Sequence, residues 1–267
     1  MSIKYLHLEQ ALFIFLILLA SCNNKKEMTN SNFTQMNKLT EGDWIKLSDK
    51  RIFFGHQSVG SNIIDGITTL KNESNSTSFV VLETKDKSDF LHPIFAHSSI
   101  GNNYDAKSKI DDFVNILQSG LADSLDVAFM KFCYVDIDRH TNINTLFEYY
   151  KTSINTLQEK YPYLKIIHYT VPLMTKPKGL KGLIKTILKM DNNVFSNKYN
   201  ELMRNHYSDS ELFDIAKIEA TFSDGAANKY GNGIPGLIPE YTSDGGHLNQ
   251  RGRLLMADEL LRKLLMN

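Results

Sequence analysis

Apolar and polar positions along the chain switch repeatedly between two periods. "RIFFG" at residues 51–55 is a short apolar run of strand character. "SNIIDGITTLK" follows it with Ile63, Ile64, Ile67 and Leu70 on one helical stripe. "TSFVVLET" predicts a second strand, and the stretch after it, "HPIFAHSSIGNNYD", reads as a long loop. "SKIDDFVNILQSG" sets Ile110, Phe113, Ile116 and Leu117 at helical spacing, with Gly120 as a C-cap. "DVAFMKFCYV" is apolar throughout except for Lys131, the pattern of a central strand covered on both faces. A helix in "NTLFEYYKTSINTLQEKY" is stopped by Pro162; "LKIIHYTVPL" then predicts a strand, "NVFSNKYNELMRNHY" a helix and "ELFDIAKIE" a last strand. "NQRGRLLMADELLRKLLMN" closes the chain as a helix, with Leu254, Ala257, Leu261 and Leu264 on one face.

Strand and helix alternating in this way predict a three-layer α/β/α sandwich around a parallel sheet. No break in composition divides residues 43–267, so they read as one domain. The segment before them is different. "ALFIFLILLA" is too short to span a bilayer, which takes about 20 residues, and suits the core of a signal peptide. Leu19-Ala20-Ser21-Cys22 resembles the bacterial lipobox, which implies a lipoprotein signal at 1–21 and an acylated Cys22. The polar residues 22–42 then form a flexible tether between lipid bilayer and domain. The expected location is the bacterial cell envelope: exported and lipid-anchored.

Composition narrows the partners. Of 267 residues, 42% are hydrophobic and 22% charged, as in a globular chain. Lys+Arg and Asp+Glu number 30 each, so no net field favours nucleic acid. The nearest thing to a basic cluster, "TKPKGLKGLIKTILK" at 175–189, reads as a solvated loop running into an amphipathic helix. Apart from Cys22, Cys133 is the remaining cysteine; its apolar surroundings predict a buried thiol, with a nucleophile as the alternative.

Three polar segments fall at predicted strand ends: "GHQSVG", "HSSIGNN" and "TSDGGHLN". In open parallel sheets ligands bind there. A serine hydroxyl needs a base to take its proton, and a histidine base needs its other ring nitrogen held. Ser58, His247 and Asp244 supply these roles, with Asp244 and His247 spaced as on one side of a helical turn. The Ser58 and Gly101 amides are the candidate oxyanion donors. The simpler readings are that Ser58 caps a helix, that "GHQSVG" cradles a phosphate, and that His56, Asp244 and His247 bind a metal. His56 stands as either a substrate contact or a structural hydrogen-bonding group. Lys131 is expected to reach Asp136 or to snorkel outward.

In the order of these segments the chain resembles the SGNH/GDSL hydrolases. "SDGGHLNQRG" matches their D-x-x-H block, "FFGHQSVG" their serine block with one extra residue, and Gly101 their glycine block. Their asparagine block lines up with "CYVD", which has Val135 in the asparagine's place. The resemblance implies a flavodoxin-like fold and a Ser58–His247–Asp244 triad. It also implies hydrolysis without a cofactor or metal of an ester-bearing substrate such as an acetylated carbohydrate. Asn102, or its neighbour Asn103, is the expected replacement for the lost donor, and Asn103 and Asp136 are the further candidate substrate contacts. A non-catalytic carbohydrate-binding or scaffolding lipoprotein and an O-acyltransferase are the alternatives.

Overall fold

The computed structural model describes residues 38–177, 179, 191–231 and 233–267. The expected signal segment, Cys22, most of the expected tether and the core of the 175–189 segment lie outside the described residues. Thr40 opens the domain with a capping box: its hydroxyl accepts from the Asp43 amide, and the Asp43 carboxylate returns to the Thr40 N–H. Helix α1 (Glu41–Ser48) follows, so the last tether residues already belong to ordered backbone.

Six parallel strands form the sheet: β1 (Arg51–His56), β2 (Val81–Glu83), β3 (Ile94–Ser99), β4 (Val127–Met130), β5 (Lys165–Tyr169) and β6 (Leu212–Phe213). Their spatial order is β2-β3-β1-β4-β5-β6. Without the short edge strand β2 this is the flavodoxin-like order. All four residues of β4 are buried, as are Ile52–His56 of β1, because helices cover both faces of these central strands. One face carries Phe54, Phe95, Phe129, Tyr169 and Phe213, whose rings contact one another in a chain across the sheet. The other presents Phe53, Ala128 and Ile166 to helices α3 (Ala106–Ile116), α4 (Ile143–Lys160) and α5 (Asn192–His206).

Three expectations change. The predicted second strand is only the three-residue edge strand β2, in which Leu82 is exposed, as is Val80 just before it. The expected long loop contains β3, which pairs with β1 over six residues. "ELFDIAKIE" keeps two residues of strand and then turns into helix α6 (Ile215–Glu219), because the Asp214 carboxylate caps the Lys217 amide. In addition, β4 ends at Met130, so Lys131–Val135 belong to the loop that follows.

Helices α2 (Val59–Glu73) and α7 (Gln250–Leu265) pack side by side on the sheet. Their contact is close because Gly66 has no side chain: a Cβ there would lie 2.3 Å from the Arg253 carbonyl oxygen. Asn62 on α2 accepts a hydrogen bond of 2.9 Å from the Leu248 amide, just before α7. These two features bring the starts of both helices to the carboxyl ends of the strands. A hairpin of β7 (Lys229–Tyr230) and β8 (Ile234–Pro235) stands apart from the main sheet.

Candidate active site

Ser58 lies between β1 and α2, where the chain leaves the sheet at its topological switch point, with β3 on one side of β1 and β4 on the other. Its backbone is at φ 55°, ψ −108°, a region that residues with a Cβ rarely occupy, at a cost of roughly 1–3 kcal/mol. It occupies the N-cap position of α2, yet its side chain makes no capping bond. The hydroxyl instead lies 2.7 Å from His247 Nε2. Gly60 permits this sharp entry, since a Cβ there would sit 2.3 Å from that of His56. Gln57 fastens the turn to the next loop by donating to the carbonyl oxygens of Ile100 (2.8 Å) and Gly101 (2.6 Å).

The Asp244–His247 segment bends sharply through Gly245 and Gly246, and the bend is closed by its own carboxylate. Asp244 Oδ1 accepts from the Gly246 and His247 amides at 2.9 and 2.8 Å, while Oδ2 faces His247 Nδ1 at 2.6 Å. Burial alone would raise the Asp244 carboxyl, but these donors and the imidazole together hold it well below the usual carboxylate range. An ionised Asp244 fixes the proton on Nδ1, which leaves Nε2 free to accept from Ser58. The site is open to solvent: the side chains of His247 and Asp244 are 45% and 57% exposed.

The other candidates are placed differently. The Gly101 amide donates to the Asp112 carboxylate at 2.9 Å and is therefore engaged, whereas the Ser58 amide has no partner among the described residues. Asn102 is exposed, with its amide bound to Ser108 Oγ, and Asn103 accepts from the Lys109 ammonium. His56 lies in the core, 3% exposed, with Nε2 3.1 Å from His97 Nδ1. Burial, aided by Lys131 and His97, pushes its pKa down to about 3, so it is a neutral structural ring out of substrate reach. Asp136 is also buried: it pairs with Lys109 at 2.6 Å and accepts from the amides of Cys133 (2.6 Å) and Tyr104 (3.0 Å). It fastens two loops together and presents no free oxygen face to a ligand.

Lys131 neither reaches Asp136 nor snorkels. It is fully buried, donating to the Phe132 carbonyl and facing the Cys133 sulfur, and burial lowers its pKa. The Cys133 thiol is buried against the Gln57 carbonyl. No group of three or more His, Cys, Asp or Glu side chains converges as a metal site among the described residues.

Two residues in this region were not singled out from the sequence. Lys109, on α3, holds the Asp136 carboxylate. Tyr134 places its hydroxyl 3.5 Å from His247 Nε2 and its ring edge-on to the imidazole, with centroids 5.8 Å apart. The "CYVD" stretch carried the signal for Tyr134, because a block that meets the site over the sheet edge can do so through a neighbour of the aligned position.

No family model and no curated protein matches the chain. Among solved structures it is similar to a Streptococcus pneumonia structure named for platelet activating factor: 15% identity, 88% of this chain, 95% of that one, TM-score 0.49. It is similar also to the periplasmic domain of a Salmonella ser. Paratyphi A lipopolysaccharide acetyltransferase, at 14% identity over 85% and 90% of the chains, TM-score 0.46. A third is the psychrotrophic esterase EstA from Pseudoalteromonas sp., at 10% identity over 81% and 97%, TM-score 0.44. The geometry of this chain stands independently of those likenesses: a serine, a histidine and an aspartate in hydrogen-bond series at the carboxyl edge of a flavodoxin-like sheet.

Proposed function

We propose that the chain is a serine ester hydrolase of the SGNH/GDSL kind, acting through an acyl-enzyme. The observation that carries this reading is the continuous series Ser58 Oγ, His247, Asp244, with contacts of 2.7 and 2.6 Å. Ser58 attacks the ester carbonyl carbon as its proton passes to His247 Nε2, and the carbonyl π pair moves onto oxygen. Collapse of the tetrahedral adduct expels the alcohol, which takes the proton from His247. Water then repeats the sequence and releases the acid. Asp244 keeps the imidazole oriented and offsets its positive charge in both steps. An exposed triad suits an ester on a carbohydrate or an envelope polymer, where the substrate itself covers the site; acetyl is the acyl group we favour.

A fluorophosphonate probe tests this directly. It should label the wild-type protein at Ser58 and leave Ser58→Ala unlabelled; equal labelling of both proteins overturns the reading. We further propose that residues 1–21 export the domain and that acylated Cys22 anchors it. Cys22→Ser should then move the protein from the membrane fraction to the soluble one, and an unchanged distribution counts against the anchor.

A second reading has an observation in its favour. The Gly101 amide is committed to Asp112, and Val135 stands where the resemblance expects an asparagine, as in a non-catalytic carbohydrate-binding module of the same fold. Turnover of p-nitrophenyl acetate that disappears in His247→Ala removes that reading.

A further inference from the structure

The hydrolase reading requires a donor that neither Gly101 nor position 135 supplies. A tetrahedral adduct on Ser58 carries a full negative charge on the former carbonyl oxygen, and a single amide N–H is a poor match for it. The Ser58 amide is one donor. The second must come from a group that lies next to the Ser58–His247 contact, is protonated at working pH and is rigidly held.

Tyr134 meets each condition. Its hydroxyl lies 3.5 Å from the same imidazole nitrogen that Ser58 Oγ approaches to 2.7 Å. It is also close enough to Ser58 for the serine hydroxyl to influence its ionisation. Burial first, and the negative Asp244 second, raise its pKa, which keeps the phenol a donor. Its backbone is fixed on both sides. The Cys133 amide binds the Asp136 carboxylate at 2.6 Å, the Asp136 amide returns to the Cys133 carbonyl at 3.0 Å, and Asn192 donates to the Tyr134 carbonyl at 3.3 Å.

Space for the ring is provided by an absence. Gly246 lies in the histidine bend, and a Cβ there would fall 2.8 Å from Tyr134 Cζ and 2.9 Å from its hydroxyl oxygen. The bend that presents His247 is thus also the bend that admits the phenol. On these grounds, and resting on the hydrolase reading, we propose that Tyr134 is a catalytic residue. Its O–H joins the Ser58 N–H in binding the oxyanion and takes the place of the asparagine that this chain lacks. In the resting site the hydroxyl rests beside Nε2; as Ser58 Oγ adds to the ester carbonyl and the tetrahedral adduct forms, the phenol donates to the new oxyanion, and the bond is released when the adduct collapses to the acyl-enzyme. No proton leaves the phenol in this role.

The test compares wild type with Tyr134→Phe, which keeps the ring against Gly246 and removes only the hydroxyl. The rate constant for fluorophosphonate labelling of Ser58 is measured from pH 6 to 9, alongside the melting temperature. Labelling needs the same stabilisation, because the phosphonyl oxygen occupies the oxyanion position while fluoride departs. Loss of one donor should slow labelling by about 100-fold, within roughly 30- to 1000-fold, at every pH, with the midpoint of the pH profile unchanged. A wild type that labels at Ser58 and a Tyr134→Phe variant within threefold of it overturn the oxyanion role and leave the hydrolase reading intact. So does a variant whose profile shifts in pH but recovers the wild-type plateau, since that marks a hydroxyl that only props the imidazole. A wild type that does not label removes the hydrolase reading and this inference with it.

Discussion

Asp244→Asn is the most informative perturbation of the proposed triad, because it changes the charge and keeps the shape. The asparagine Oδ1 can still accept from the Gly246 and His247 amides, now met at 2.9 and 2.8 Å, so the bend survives. At the other oxygen position an NH₂ group replaces the acceptor that His247 Nδ1 meets at 2.6 Å. Two donors cannot face each other, so the ring takes the tautomer with its proton on Nε2 and can no longer accept from Ser58. In a buried triad this change costs about 10⁴ in kcat. Here the Asp244 and His247 side chains are 57% and 45% exposed, and water screens the lost charge. We therefore expect a loss of about 100- to 1000-fold, or about 3–4 kcal/mol in the barrier. Fluorophosphonate labelling and aryl-acetate turnover at pH 7 measure it, while urea unfolding should change by less than about 1 kcal/mol. A variant within threefold of wild type at unchanged stability refutes the tautomer argument.

Two further predictions concern stability. Ser58→Gly and Ser58→Ala both remove the hydroxyl, but only glycine relieves a backbone at φ 55°, ψ −108°. Urea midpoints at equal m should show the glycine variant more stable than the alanine variant by about 1–2 kcal/mol, and the reverse order refutes the strain. His168, 2% exposed and stacked on Tyr207 at 3.5 Å, is driven mainly by burial to a pKa of about 3, as is His56. The folded state keeps both rings neutral, while the unfolded chain takes up protons below about 6.5; the stability they confer is complete above that pH and is lost as pH falls toward 3. His168→Gln should flatten the acid limb of the stability profile by several kcal/mol, and an unchanged slope between pH 6.5 and 3 contradicts it.

The sequence made the layered architecture legible because covered strands and amphipathic helices have different periods. Helices α2, α3, α4, α5 and α7 all begin within a few residues of their expected starts. It misled where position in the sheet, and not intrinsic pattern, decides the outcome. "TSFVVLET" has the stronger strand composition, yet "IFAHSS" becomes the long inner strand because β1 offers it six residues of pairing. The Asp214 cap that converts "DIAKIE" to helix was present in the sequence but outweighed by the apolar spacing around it. In the site, residue types at strand ends brought Ser58, Asp244 and His247 forward. The commitment of the Gly101 amide was hidden because its acceptor, Asp112, arrives eleven residues later on the face of α3. Tyr134 was hidden for a related reason: which side chain of "CYVD" faces the histidine depends on a turn that the buried Lys109–Asp136 pair closes from another helix.

What unites the site is the start of two neighbouring helices. Ser58 and His247 are 189 residues apart in sequence, yet Ser58 directly precedes α2 and His247 lies just before the Asn249 cap of α7, and the two helices run together on one face of the sheet. The close contact at Gly66 sets their separation, and the Asn62–Leu248 bond sets their register. A serine held in a strained turn at one helix start gains nothing in stability from that position. The packing of α2 against α7 that holds the serine turn also brings the histidine and its aspartate to it, so a change that separates the two helices is expected to lower fluorophosphonate labelling of Ser58 before it lowers the urea midpoint.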